Sequence, residues 1–202
     1  MPMNYTAALR LARARMKALD PAESARLAGA RYDGHRLHLT YIGREFSVDA
    51  QEGLVFLGGD RYENPVDEIL ILHYLLGASG LPVRGEYLSF RRLPGGEIYT
   101  GPFIARTVQP MVRCFRARPE VLVRAALALG GRKEEIGHCS VALDALPRVP
   151  LTFVLWQGDD EVPAQGNILF DATAPTYLCT EDLVVLAAQT VYTLMALARS
   201  EG

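Results

Sequence analysis

The amino-acid sequence predicts an α+β fold. A mixed, mostly antiparallel sheet built from hairpins packs on a central apolar helix and on helices at the N- and C-terminal ends. Three observations carry this reading. Apolar residues alternate with period two between Leu37 and Val48, the spacing of half-buried strands. The run EILILHYLLG is apolar on nearly every side, as in a helix enclosed by other elements. The two ends of the chain carry helical spacing.

Each element follows in order. Leu9, Ala12, Met16 and Leu19 share one face of an opening helix, and Arg10, Arg13 and Lys17 share another. Asp20-Pro21-Ala22-Glu23 starts a second helix: the aspartate accepts backbone N–H bonds, proline suits the first helical position and glutamate stands third. Gly29 ends it. Leu37, Leu39 and Tyr41 line a strand, Ile42-Gly43 turns it, and Phe46 and Val48 return. A short strand at 54–57 precedes the cap Asn64-Pro65-Val66-Asp67, which launches the apolar helix. Segments 86–92 and 97–99 read as strands joined by a turn at Pro94-Gly95-Gly96. Helices follow over 103–118, kinked or divided at Pro110, and over 119–129, stopped by Gly130-Gly131. Strands at 138–143, 151–156 and 167–170 surround the polar loop GDDEVPAQG. A long terminal helix starts at Glu181 with Thr180 as its N-cap. No repeat or linker interrupts the chain, so 1–202 reads as a single domain.

Composition narrows the function classes. A net charge of -2 argues against a dedicated nucleic-acid binder, because such binding rests on Lys and Arg neutralising phosphates. Cys114, Cys139 and Cys179 are odd in number and scattered, which makes neither a disulfide framework nor a zinc-ligand spacing and points to a reducing cytoplasm. The opening MPMNYTAALRLARARMK lacks an apolar signal core, and the apolar stretch 69–76 is shorter than the ~20 residues that cross a bilayer, so no membrane role is expected.

Charge is segregated along the chain. No Lys or Arg lies between Arg148 and Arg199, where Asp159, Asp160, Glu161, Asp171, Glu181 and Asp182 all fall, while arginines crowd the segment from Arg84 to Arg124. Carboxylates converging from the 159–161 loop, the strand end and the helix start would suit a hard divalent cation, which takes oxygen ligands. The competing reading is a solvated loop, a strand-end turn and charges matched to the helix dipole. Arg91, Arg92 and Arg106 flank a glycine turn and could clamp an anion, although neighbours on a strand point to opposite faces. The same argument separates His35 from His38 and His138 from Cys139. His73 rides the apolar helix as a satisfied boundary residue. Cys179, ahead of a helix N-terminus, is the best thiolate candidate. Phosphate-loop, dinucleotide, zinc-protease and nucleophile-elbow motifs are missing.

The runs ILILHYLLGASG, SFRRLPGGEIY with GPFIAR, and RVPLTFVLWQGDDEVPAQGNILFD with YLCTEDL resemble the prokaryotic domain of unknown function, family 3786, from Tyr32 to the terminal helix. The resemblance implies a home in anaerobic bacteria and archaea, where some members are fused to an iron–sulfur segment similar to that of corrinoid proteins of one-carbon metabolism. This chain lacks that cysteine cluster. The family segment before the terminal helix often reads His-Tyr-Leu-Pro-Thr-Glu-Asp. Here Thr176 and Cys179 replace the histidine and proline, which removes one candidate ligand.

The expected function is a cytoplasmic, non-enzymatic accessory module, tied by the resemblance to one-carbon and corrinoid metabolism. A small molecule or protein partner would sit between Trp156, Asp159, Asp160, Glu161, Asp171 and Thr180 on one side and Arg91, Arg92 and Arg106 on the other. The alternative is a hydrolase-like enzyme with a divalent cation on Asp159, Asp160, Asp171 and Asp182. No other cofactor is evident. Apolar faces of the first and last helices suit a homodimer.

Overall fold

Residues 5–159 and 161–200 are described by a computed structural model. Helix α1 (Tyr5–Met16) turns Ala12 and Met16 inward. Helix α2 (Pro21–Ala28) begins on its cap, where the Asp20 carboxylate accepts the N–H groups of Ala22 at 2.9 Å and Glu23 at 3.3 Å.

Strands β1 (Arg31–Tyr32), β2 (Arg36–Tyr41), β3 (Arg44–Asp49), β4 (Val55–Leu57) and β5 (Asp60–Arg61) form an antiparallel meander in chain order. Leu37, Leu39, Tyr41, Phe46 and Val48 face the core, so Arg36, His38, Thr40 and Glu45 face outward. The β2–β3 turn has positive φ at both central residues, 45° at Ile42 and 72° at Gly43, the geometry that matches strand twist in a two-residue hairpin. A β-branched residue there is strained. Burial of the Ile42 side chain and a 2.9 Å bond from its N–H to the Ala145 carbonyl offset that strain and dock the hairpin tip on the second sheet.

Helix α3 (Pro65–Gly77) starts on Asn64, whose side-chain oxygen accepts from Val66 and Asp67, and buries Leu70, Ile71, Leu72, Tyr74 and Leu75. The next segment departs from the sequence reading. Strand β6 (Tyr87–Ser89) runs into a 3-10 turn, Phe90–Arg92, and helix α4 (Gly96–Arg106) occupies the place of the second expected strand. Phe103 stacks on Phe90 with centroids 4.0 Å apart, and both rings touch Phe170. That aromatic cluster overrides weak local propensity. A Cβ on Gly96 would lie 2.1 Å from the Phe90 carbonyl oxygen, so only glycine permits the tight approach.

Helix α5 (Val108–Phe115) separates from α4 at Thr107, before Pro110. Pro110 is the third residue of α5, where a missing N–H costs no helical bond. Helix α6 (Pro119–Ala128) follows. Strands β7 (Arg132–Glu134), β8 (Cys139–Leu146), β9 (Val149–Trp156) and β10 (Gln165–Asp171) join β6 in the order β6-β10-β9-β8-β7. The single mixed sheet of the sequence reading is therefore two sheets among the described residues, each wholly antiparallel.

Helix α7 (Thr180–Ser200) closes the chain. Thr180 is its first helical residue instead of its cap, and its hydroxyl donates to the Pro94 carbonyl at 2.6 Å. Helix α7 is 21 residues long and contains an 18-residue window of mean hydropathy 1.4, so among the described residues α7 and not 69–76 is long and apolar enough by composition to cross a bilayer. In this fold Leu183, Leu186, Ala187, Val191 and Leu194 are buried, and α7 packs on α3, α5 and α6. Buried residues from both sheets and all these helices form one contiguous core.

Candidate functional site

The acidic residues singled out from the sequence do not form one cluster. Asp159 precedes β10 and Asp171 ends it, so the strand's length, about 20 Å at ~3.3 Å per residue, lies between them. Asp160 lies outside the described residues. Among the described residues no group of three or more His, Cys, Asp or Glu side chains could hold a metal ion. Among the described residues Asp159, Asp171 and Asp182 are thus not gathered into one centre, because each is held by different partners.

Asp159 accepts the N–H groups of Glu161 at 2.9 Å and Val162 at 2.7 Å, closing its own loop, and these bonds hold its carboxyl below the usual range. Buried Asp171 accepts four bonds: from Arg84 N–H at 3.2 Å, Gly85 N–H at 2.7 Å, Thr173 N–H at 2.9 Å and the Thr173 hydroxyl at 2.6 Å. Burial raises its pKa, but the Thr173 hydroxyl and the three N–H groups outweigh that and leave it lowered. Asp182 sits 2.8 Å from His73 Nδ1 and 3.2 Å from Cys179 Sγ. Burial, with the Asp182 charge alongside, pushes the Cys179 thiol up to about 11. Cys179 is therefore a protonated donor and not a thiolate, and it is exposed, unlike the buried structural cysteine that the sequence favours.

The arginines of the expected cleft stand on the surface. Arg91 pairs with Glu97 at 3.6 Å on the surface, while Arg92 and Arg106 are exposed without an ion pair among the described residues. Trp156 and Glu161 remain at the β9–β10 turn.

Sequence reasoning missed a buried carboxylate pair at the start of α3. Asp67 accepts from Tyr41 OH at 2.7 Å, Tyr62 OH at 2.6 Å and Gln189 Nε2 at 2.9 Å. Glu68 accepts from Arg13 at 2.6 Å and Arg61 at 2.7 Å. Burial, then the Asp67 carboxylate, pushes Tyr62 up to about 12 and Tyr41 higher still. Both phenols stay protonated and bind the carboxylate. The network ties α1, the first sheet, α3 and α7 together, and Arg13, Tyr41 and Gln189 lie 55, 26 and 122 residues from their acceptors, too far for any spacing rule to reveal.

The hairpin docking of Ile42 on Ala145 opens a groove of about 480 Å³ at the junction of the sheets. Gly29, Leu39, Leu129, Gly130, Leu143 and Pro147 line it beside the polar side chains of Arg31, His38, Thr40, Glu45 and Asp144. Its size falls within the ~300–1,000 Å³ of small-molecule sites. Asp33 accepts N–H bonds from Arg36 at 2.8 Å and His35 at 2.9 Å and holds His38 Nε2 at 2.6 Å. These contacts keep the Asp33 carboxyl far below its usual range. The ionised carboxylate can only accept, so His38 Nε2 donates to it and the ring is held in orientation. Arg31, Thr40 and Glu45 make no side-chain hydrogen bond or ion pair within the described residues, unlike the acidic residues above. The Nε of Arg148, 3.2 Å from where a Gly29 Cβ would stand, is buried without a partner next to the groove wall. The sequence conceals this site because His38, Thr40 and Glu45 occupy the alternate strand positions of an ordinary solvent face.

No curated protein and no solved structure matches the chain. The match lies with a protein family described as a domain of unknown function, DUF3786, and it covers residues 20–193. That span takes in both sheets and the groove, and the chain belongs to the DUF3786 family.

Proposed function

We propose that this chain is a non-catalytic binding module that holds a small polar ligand in the groove between its sheets. The observation that carries the reading is a contrast in saturation. Asp159, Asp171, Asp67 and Glu68 are occupied by donors of the chain itself, whereas Arg31, Thr40 and Glu45 reach a groove of about 480 Å³ unpaired. A guanidinium offers a planar pair of donors to a carboxylate or phosphate oxygen. Glu45 accepts from a hydroxyl or ammonium group, and the oriented His38 ring adds a fixed hydrogen-bonding edge. Following the family resemblance, we read the module as a cytoplasmic accessory to anaerobic one-carbon and corrinoid proteins.

Thermal denaturation against a panel of amino acids, small carboxylates and sugar phosphates tests this. A ligand near a hundred times its Kd adds ~2.7 kcal/mol, which raises the Tm of a chain this size by roughly 5–10 °C. Thr40→Trp, an exposed strand position that tolerates an aromatic, fills the groove and removes that shift. Stabilisers that act equally on Thr40→Trp would refute the site, and a panel without any stabiliser would refute the ligand class.

A further inference from the structure

We infer that the open edge of β10, beside a groove walled by α4 and α5, takes an extended acidic peptide by strand addition. Strand β6 pairs only with Leu169, Phe170 and Asp171, leaving the first half of β10 uncovered on that side. Backbone direction alternates along a strand, and Ala172 N–H bonds the Glu86 carbonyl across this edge at 2.9 Å. Phe170, Ile168 and Gly166 therefore also aim their N–H and C=O groups outward. Ile168 N–H confirms the direction: its partner is not β9 but the Asn167 side-chain oxygen, 2.9 Å away. Asn167 acts as a removable plug on an otherwise unpaired edge, one of the ways proteins blunt such edges.

A cavity of about 470 Å³ lies along this edge, between Ile104, Val108 and Val112 on the helices and Ala164, Gly166 and Asn167 on the strand. The backbone edge specifies an extended main chain, and the apolar wall gives alternate side chains a seat. Arg113 is the cation on the lining, no carboxylate lines it, and Arg113 makes no ion pair within the described residues. The occupant is therefore acidic as well as extended. Gly166 is required at the centre because a Cβ there would meet Val112 and Met111 at 2.7 Å and 2.8 Å. This surface is separate from the groove between the sheets.

An acetylated, amidated seven-residue peptide of alternating valine and aspartate is the probe. Fluorescence anisotropy reads its affinity and amide hydrogen exchange reads its place. Binding should slow exchange at Gly166 and Ile168. Arg113→Glu, at an exposed helix position, should weaken the probe at least about tenfold and improve the matching valine–lysine peptide, a reversal that misfolding would not produce. Asn167→Ala, which removes the competing plug, should tighten it by about threefold to tenfold. Absence of binding at millimolar peptide, unchanged exchange at Gly166, or affinity indifferent to both substitutions would overturn the inference.

Discussion

Asp171 shows how a single side chain can look like a ligand in the sequence and prove to be a clamp in the fold. Its four accepted bonds hold the 84–85 loop and Thr173 against the end of β10. Replacing it with alanine orphans three backbone donors and should cost about 3 kcal/mol, read from urea midpoints at pH 7. The pH dependence has a fixed sign. The native pKa lies below its ordinary 3.8, so the carboxylate's contribution is complete above the unfolded value and is lost as pH falls through the lowered native one. The stability gap between wild type and Asp171→Ala should stay constant from about pH 7 to 5 and narrow below about pH 4. A gap independent of pH would show that the ionised form is not what these donors bind. Such saturation could not be read in advance, because Arg84 and Gly85 lie 87 and 86 residues from their acceptor.

At the scale of elements, local rules held where one short run of residues decides the outcome. The Asp20 and Asn64 caps and the Ile42-Gly43 turn are written in four residues or fewer, and all form as read. The stretch 96–106 failed because a remote aromatic partner, Phe90 on Phe103, sets its conformation. Gly43 joins both kinds of constraint. Its φ of 72° suits glycine, and an added Cβ would stand 2.7 Å from Leu129. Gly43→Ala should therefore destabilise by about 2–4 kcal/mol, lowering Tm by roughly 5–15 °C. Because the same turn docks through Ile42 on Ala145, the variant should also weaken any ligand of the neighbouring groove. A Tm within 2 °C of wild type, roughly half a kcal/mol, would mean that the hairpin tip is not held against Leu129 as described.

Across the whole molecule, the sequence was enough for fold class and for the sheet-and-helix layers, since these follow from periodicity and composition. It did not reveal that the strands divide into two sheets, nor that the crevice between them gathers Arg31, His38 and Glu45. Those facts depend on one docking bond and a register irregularity near Ala145, features that no hydrophobic pattern encodes. Of the acidic residues that drew attention to the last quarter of the chain, Asp159 and Asp171 are internal clamps on backbone N–H groups. The binding reading rests instead on polar groups left unpaired between the sheets. Backbone and imidazole NMR shifts, followed while a stabilising metabolite from the thermal panel is titrated in, test this most directly. The account predicts perturbations concentrated at Gly29–Arg31, His38–Thr40, Glu45, Leu129–Gly130 and Leu143–Asp144, with the His38 ring among the largest. Perturbations centred on Asp159, Glu161 and Asp171, with these residues silent, would contradict it.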